Sequence, residues 1–182
     1  MDPMIDASTF RAALATPELI RLFDYWQALR GTRPMPLWSD IRPEEIAPVL
    51  PRIWAWRLGA DDDLRLRLVG EQVLAILRRN VRGKTPEDLY APAEAAAIRA
   101  RLIKVARVPT CSHTAGDIFH GAHRVGTGER LALPYAEARG GFGIIGASKA
   151  TLDPDPESGL ERPFDPQALY TLVGPEYFLR ID

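Results

Sequence analysis

Between residues 16 and 30, apolar side chains recur at three- and four-residue intervals. Leu19, Leu22, Phe23, Trp26 and Leu29 fall on one face of a helix. Thr16 suits its cap, Pro17 its first position and Gly31 the residue past its end. After a proline-rich connection (Pro34, Pro36), Pro43 with Glu44 and Glu45 opens a short helix that Pro51 ends. The pattern then changes. Ile53, Trp54, Ala55 and Trp56 read as a strand over 52–59. Leu64, Leu66 and Leu68 alternate with Arg65 and Arg67, and the polar turn Asp61-Asp62-Asp63 joins the two strands as a hairpin.

Helical spacing returns over 71–79 through Val73, Leu74 and Leu77, and Thr85-Pro86-Glu87-Asp88 is a capped start. The long helix of the second half spans 92–107, with Ala95, Ile98, Leu102 and Val105 as its buried stripe. Beyond Pro109 come three strands: 110–115 with a continuation to 120, 130–138, and 142–148. Gly126, Gly128, Gly140 and Gly141 are assigned to the turns between them. Residues 153–159 read as a linker, 166–173 as a short helix, and Tyr177, Phe178 and Leu179 as an apolar terminus. Two strands, several helices and three more strands make an α+β domain, an antiparallel sheet covered on one face by helices. The expected division is a helical extension over 1–45, a core over 46–150 and a tail over 151–182.

Composition narrows the picture. The 182 residues are 46% apolar and 26% charged, enough for one core without covalent staples. A net charge of −1 offers no general attraction for nucleic acid or an anionic membrane, so neither is expected as a partner. No apolar run is long enough to span a bilayer, and Met1-Asp2-Pro3 does not open like a signal peptide. The lone Cys111 excludes internal disulfides. A cytoplasmic protein is expected.

Several segments resemble a family of short bacterial PAS-like proteins: FDYWQALRG (23–31), SDIRPEEIAPVLPRIW (39–54) and LRLVGEQV (66–73). RNVRGKTPEDLY (79–90) and RLALPYAEARGGFGIIGA (130–147) continue the similarity. The shared pattern is a Tyr-Trp-x-x-Leu-Arg helix, an Asp-x-x-Pro-x-Glu turn and Leu-Val-Gly before a helix. The resemblance covers about residues 22–148 and implies a five-stranded antiparallel sheet, with helices inserted between strands two and three. It also implies a sensory or regulatory role, but no reaction and no ligand-binding residues.

Motif matches add little chemistry. Gly141-Phe-Gly143-Ile-Ile-Gly146 spells a dinucleotide fingerprint, yet Pro154 follows within eight positions and no βαβ unit surrounds it. Gly83-Lys84-Thr85 ends like a phosphate loop, but the required first glycine is Arg78. Cys111, His113, His120 and His123 lie close together in sequence. Cys111 and His113 share a strand face, which keeps a metal or haem site open as an alternative. The light-sensing flavin class is disfavoured, because its cysteine belongs on the helical side. The clusters Arg65/Arg67 and Arg78/Arg79/Arg82/Lys84 read as solvated faces, with anion recognition as the sharper reading. No nucleophile–base pair is evident, so no enzymatic activity is expected.

The primary expectation is a non-catalytic sensory module that binds a small molecule, a protein signalling partner, or both. A metal- or haem-binding sensor or enzyme and a ligand-free protein adaptor are the alternatives. Nothing in the sequence names a cofactor. Trp54, Trp56, Leu58, Leu131, Leu133, Tyr135 and His113 are the expected pocket lining. The stripe Leu19, Leu22, Phe23, Trp26 and Leu29 is the expected interface of a homodimer. The tail is expected to dock on its own domain or on a partner.

Overall fold

The structure is a computed structural model that describes residues 5–77, 81–120, 123–153 and 170–181. The expected hairpin is present as β1 (Ile53–Leu58) and β2 (Leu64–Val69), paired antiparallel. The inserted helices are α3 (Glu71–Leu77), α4 (Pro86–Leu89) and α5 (Pro92–Arg107). Three long strands follow: β3 (Thr110–His120), β4 (His123–Ala136) and β5 (Phe142–Leu152). They complete a sheet in the order β2–β1–β5–β4–β3, every pairing antiparallel. Gly126 and Gly128, expected in a turn, lie inside β4, which begins further upstream than the sequence pattern indicates.

The tail changes the expected strand count. Instead of a helix over 166–173, it forms β6 (Tyr170–Val173), and β7 (Glu176–Arg180) follows. Both pair antiparallel with β3, β6 alongside its C-terminal half and β7 alongside its N-terminal half. Val173 and Tyr177 belong to strand-like runs rich in β-branched and aromatic residues, and the open edge of β3 supplies their hydrogen bonds. The tail therefore docks on its own domain. The linker expected over 153–159 lies outside the described residues after position 153, as do residues 166–169.

Helices cover both faces of the sheet, not one. Ahead of β1 come α1 (Ala7–Ala13), which the apolar pattern did not signal, α2 (Pro17–Arg30) and a 3-10 helix over Pro43–Arg52. The Asp6 side chain caps α1 by accepting from the Ser8 and Thr9 N–H groups. These elements pack on one face with Ile53, Cys111, Leu131, Leu133, Tyr135, Ile145 and Ala147. The opposite face carries Trp54, Trp56, Leu58, Ala132 and Ile144 beneath α4 and α5.

This placement corrects the expected dimer interface. Leu19, Leu22, Phe23 and Trp26 are each at most 2% exposed within a single chain, and Leu29 is half-buried. The stripe is covered by the chain's own sheet, so its apolar area is already removed from water and is not available to a second copy. The division at residue 45 also places a boundary inside a continuous core, since α2 and the 3-10 helix pack in one cluster with β4 and β5.

Candidate functional site

A cavity of about 150 Å³ lies between the sheet and the α3–α5 side. Its construction starts from strand parity. Trp54 of β1 stands opposite Gly146 of β5, which stands opposite Ala132 of β4. Residues directly opposite on neighbouring strands share a face, so these three form one row across the sheet. The row explains a glycine. A Cβ on Gly146 would lie 2.3 Å from the Trp54 ring, so the indole needs a bare backbone there. The Trp54 indole N–H donates to Ser148 Oγ at 2.8 Å, fixing the ring. Trp56, Leu89, Ile98 and Leu102 complete an apolar end.

The other end is polar. Arg130 of β4 stands between Thr114 of β3 and Ser148 of β5, and all three line the cavity. Ser112 donates from Oγ to Glu176 Oε1 at 2.7 Å, and Arg101 pairs with the same carboxylate at 3.2 Å. Arg130 is half-buried, and burial lowers the pKa of its guanidinium, while the nearby Tyr90 and Glu176 act in the other direction. Among the described residues its guanidinium has no hydrogen-bond or ion-pair partner.

The expected pocket lining divides. Trp54 and Trp56 line the cavity; Leu58 is buried in the same cluster without lining it. Leu131, Leu133, Tyr135 and His113 do not line it, because they face the opposite layer with α2. Each set shares one face of its own strand, as alternation requires, but the register Leu131↔Ala147 and Ala147↔Ile53 gives the β4 set the parity of Ile53 and not of Trp54. Tyr135 donates its hydroxyl to the Trp56 carbonyl at 3.1 Å, and burial raises its pKa.

The Cys/His cluster is not assembled into one site. Cys111 and His113 share a face, but both are fully packed against the N-terminal helices. Burial pushes the Cys111 thiol well above its ordinary range, the reverse of what a metal thiolate needs. His113 Nε2 lies 2.9 Å from Glu129 Oε1. Glu129 also accepts from the Ala15 and Thr16 N–H groups at 2.9 and 2.8 Å. Burial would raise the Glu129 pKa, yet these hydrogen bonds outweigh it and hold the carboxylate at about 2. An ionised carboxylate only accepts, so His113 donates from Nε2, and its Nδ1 has no partner among the described residues. His120 pairs with His123 at the far end of the β3–β4 ladder. His120 lies seven steps along the strand from His113, roughly 23 Å at about 3.3 Å per residue. Their side chains lie outside the described residues. Among the described residues no group of three potential ligands is close enough to hold a metal ion.

The remaining motifs have structural explanations. A Cβ on Gly143 would lie 2.2 Å from the Tyr135 ring, and Gly141 adopts a φ of +104° in the turn before β5. Gly143 and Gly146 thus admit rings on opposite faces of β5. Arg65 is paired with Asp63 at 2.8 Å. Arg67 bonds to Glu137 and lies 4.0 Å over the Trp38 ring. Both are occupied by their own chain. Arg78 and Arg79 lie outside the described residues.

Reading the sequence missed Arg130, Arg101, Thr114 and Ser148. A signal existed for the first. Arg130 opens the run Arg-Leu-Ala-Leu-Pro-Tyr at the parity opposite to Leu131, Leu133 and Tyr135. A charge at that parity of a central strand faces a covered layer.

No helix among the described residues is long and apolar enough to cross a membrane. A search of curated proteins finds no match to the chain. Among solved structures, the chain is similar to the one described as the structure of the PAS domain from Bordetella pertussis BvgS. The two are 19% identical with a TM-score of 0.44, over 58% of this chain and 80% of that chain. The family model described as PAS domain matches residues 14–147, a span that takes in α2, the whole β1–β4 framework and most of β5. The chain belongs to the PAS domain family.

Proposed function

We propose that this protein is a non-catalytic, cytoplasmic sensory module whose input is a small molecule held between the sheet and α3–α5. The observation that carries this reading is the cavity itself, apolar at the Trp54–Trp56 end and polar around Arg130. Ligand sites of proteins combine such a lining with a few placed polar groups. The helices above the cavity are short or half-exposed, and α3 and α4 have seven and four residues. A ligand that packs against them changes the surface they present, and a protein partner reads that change. Self-pairing would use a surface other than the buried α2 stripe.

Native mass spectrometry and an absorption spectrum of the full chain test the reading. A retained small-molecule mass that Ala132→Phe removes, in a variant that remains folded, supports it. A wild-type protein that retains no mass and takes up no compound from a fragment library overturns it.

A further inference from the structure

The cavity carries an unbalanced charge, which narrows the class of ligand. Arg130 and Arg101 line its polar end, with Glu176 beside them on Arg101. Glu129 and Lys149 also border the cavity, but they pair one residue out of step with Arg130 and Ser148 and so project to the opposite face. Glu176 is engaged twice, by Ser112 and by Arg101, at 2.7 and 3.2 Å. One carboxylate therefore faces two guanidinium groups, and Arg130 is the one left without a hydrogen-bonded counter-charge among the described residues.

A half-buried guanidinium is expensive to hold next to indole and leucine side chains without a partner. Its planar fork of N–H donors matches the two oxygens of a carboxylate. Cross-strand hydroxyls flank it, Thr114 on one side and Ser148 on the other. The position is rigid, because Arg130 sits on a central strand paired on both edges. The remaining volume sets the size of the ligand's body. A cavity of about 150 Å³ has room on the order of one aromatic ring, the scale at which an engineered apolar cavity takes benzene.

We propose that the cavity recognises a small monocarboxylate with a compact apolar body, its carboxylate on Arg130 and its body against Trp54, Trp56 and Leu102. This rests on the reading of the cavity as a ligand site.

Three probes test it by isothermal titration calorimetry on the full chain: benzoate, its neutral counterpart benzamide, and toluene. Benzoate is expected to bind about tenfold or more tightly than benzamide, the scale of a charged hydrogen bond. Arg130→Met is expected to weaken benzoate about tenfold or more while leaving toluene unchanged, and Arg130→Lys to fall between. If Arg130→Met does not fold, the benzoate-to-benzamide ratio and the Arg130→Lys variant decide. Toluene binding with benzoate no tighter than benzamide, or full benzoate affinity in Arg130→Met, overturns the carboxylate assignment and leaves the cavity reading standing. Failure of all three probes to bind at millimolar concentration overturns this inference, while the cavity reading is then decided by the retained mass and the fragment library.

Discussion

Glu129 and Arg130 are neighbours on the central strand β4 and project to opposite faces of the sheet. Glu129 meets three donors, from His113, Ala15 and Thr16, and is 6% exposed. Arg130 has no hydrogen-bonded or ion-paired partner among the described residues and lines the cavity. The same strand thus holds one charge that fastens the N-terminal helices and one that faces the cavity. Alternation of side chains makes this division possible without any loop.

The first charge predicts an acid sensitivity. The Glu129 pKa is held at about 2, below the usual 4.5, so its contribution to stability is complete above about pH 4.5. It is lost as the pH falls from there through about 2. The magnitude is on the order of 3 kcal/mol at neutral pH. Urea unfolding at pH 7 and pH 3 checks it: wild type loses stability between the two, and Glu129→Gln, already weaker at pH 7, loses less.

A second relationship ties α2 to the sheet. The Trp26 indole N–H donates to the Pro134 carbonyl at 2.7 Å. The β3–β4 ladder ends at Ser112↔Ala132, and the next N–H on that side of β4, from Ala136, donates to the Pro36 carbonyl at 2.9 Å. A proline in this central strand is tolerated because no ladder partner stands there, and Trp26 takes the carbonyl that β3 does not reach. Trp26→Phe should cost about 1–3 kcal/mol in urea unfolding, the penalty of a buried carbonyl left unpaired. It should leave the sedimentation coefficient of the folded protein unchanged, since the indole is internal to one chain.

The glycines of the fingerprint-like run predict packing defects. Gly146→Ala places a methyl against the Trp54 ring and Gly143→Ala places one against Tyr135. Each should lower stability by roughly 1–3 kcal/mol through overpacking. Near-ultraviolet circular dichroism should show the disturbed aromatic environment in both. Only Gly146→Ala should also alter ligand binding, because Trp54 lines the cavity and Tyr135 does not.

The tail predicts a change in thiol reactivity. Cys111 pairs with Leu179 of β7, and both Leu179 and Ile181 are buried in its cluster. The Ile5 N–H donates to the Phe178 carbonyl at 3.0 Å, so β7 also holds the N-terminal segment. A chain ending at Asp153 should react with a thiol-specific reagent about tenfold faster or more, because access and thiolate fraction set the rate. Equal rates in the two chains would show that the tail does not cover Cys111.

Local features of the chain determined much of the architecture. Helical spacing with proline and glycine punctuation marked α2 and α5 almost to the residue, and the Leu/Arg alternation marked β2. These signals depend on neighbours within a turn or two, which the sequence contains directly. Tertiary structure alone decided the faces. Trp54 and Leu131 each belong to an alternating apolar strand, and nothing local says that they point to opposite layers. That depends on the registers β1–β5 and β4–β5, the first of which joins segments about ninety residues apart, and a shift of one residue would reverse it. The same long-range pairing buried the α2 stripe inside one chain, turned the tail into strands along β3, and set Arg130 under the helices. Side-chain parity is a property of paired strands, and the pairs form only in the folded sheet.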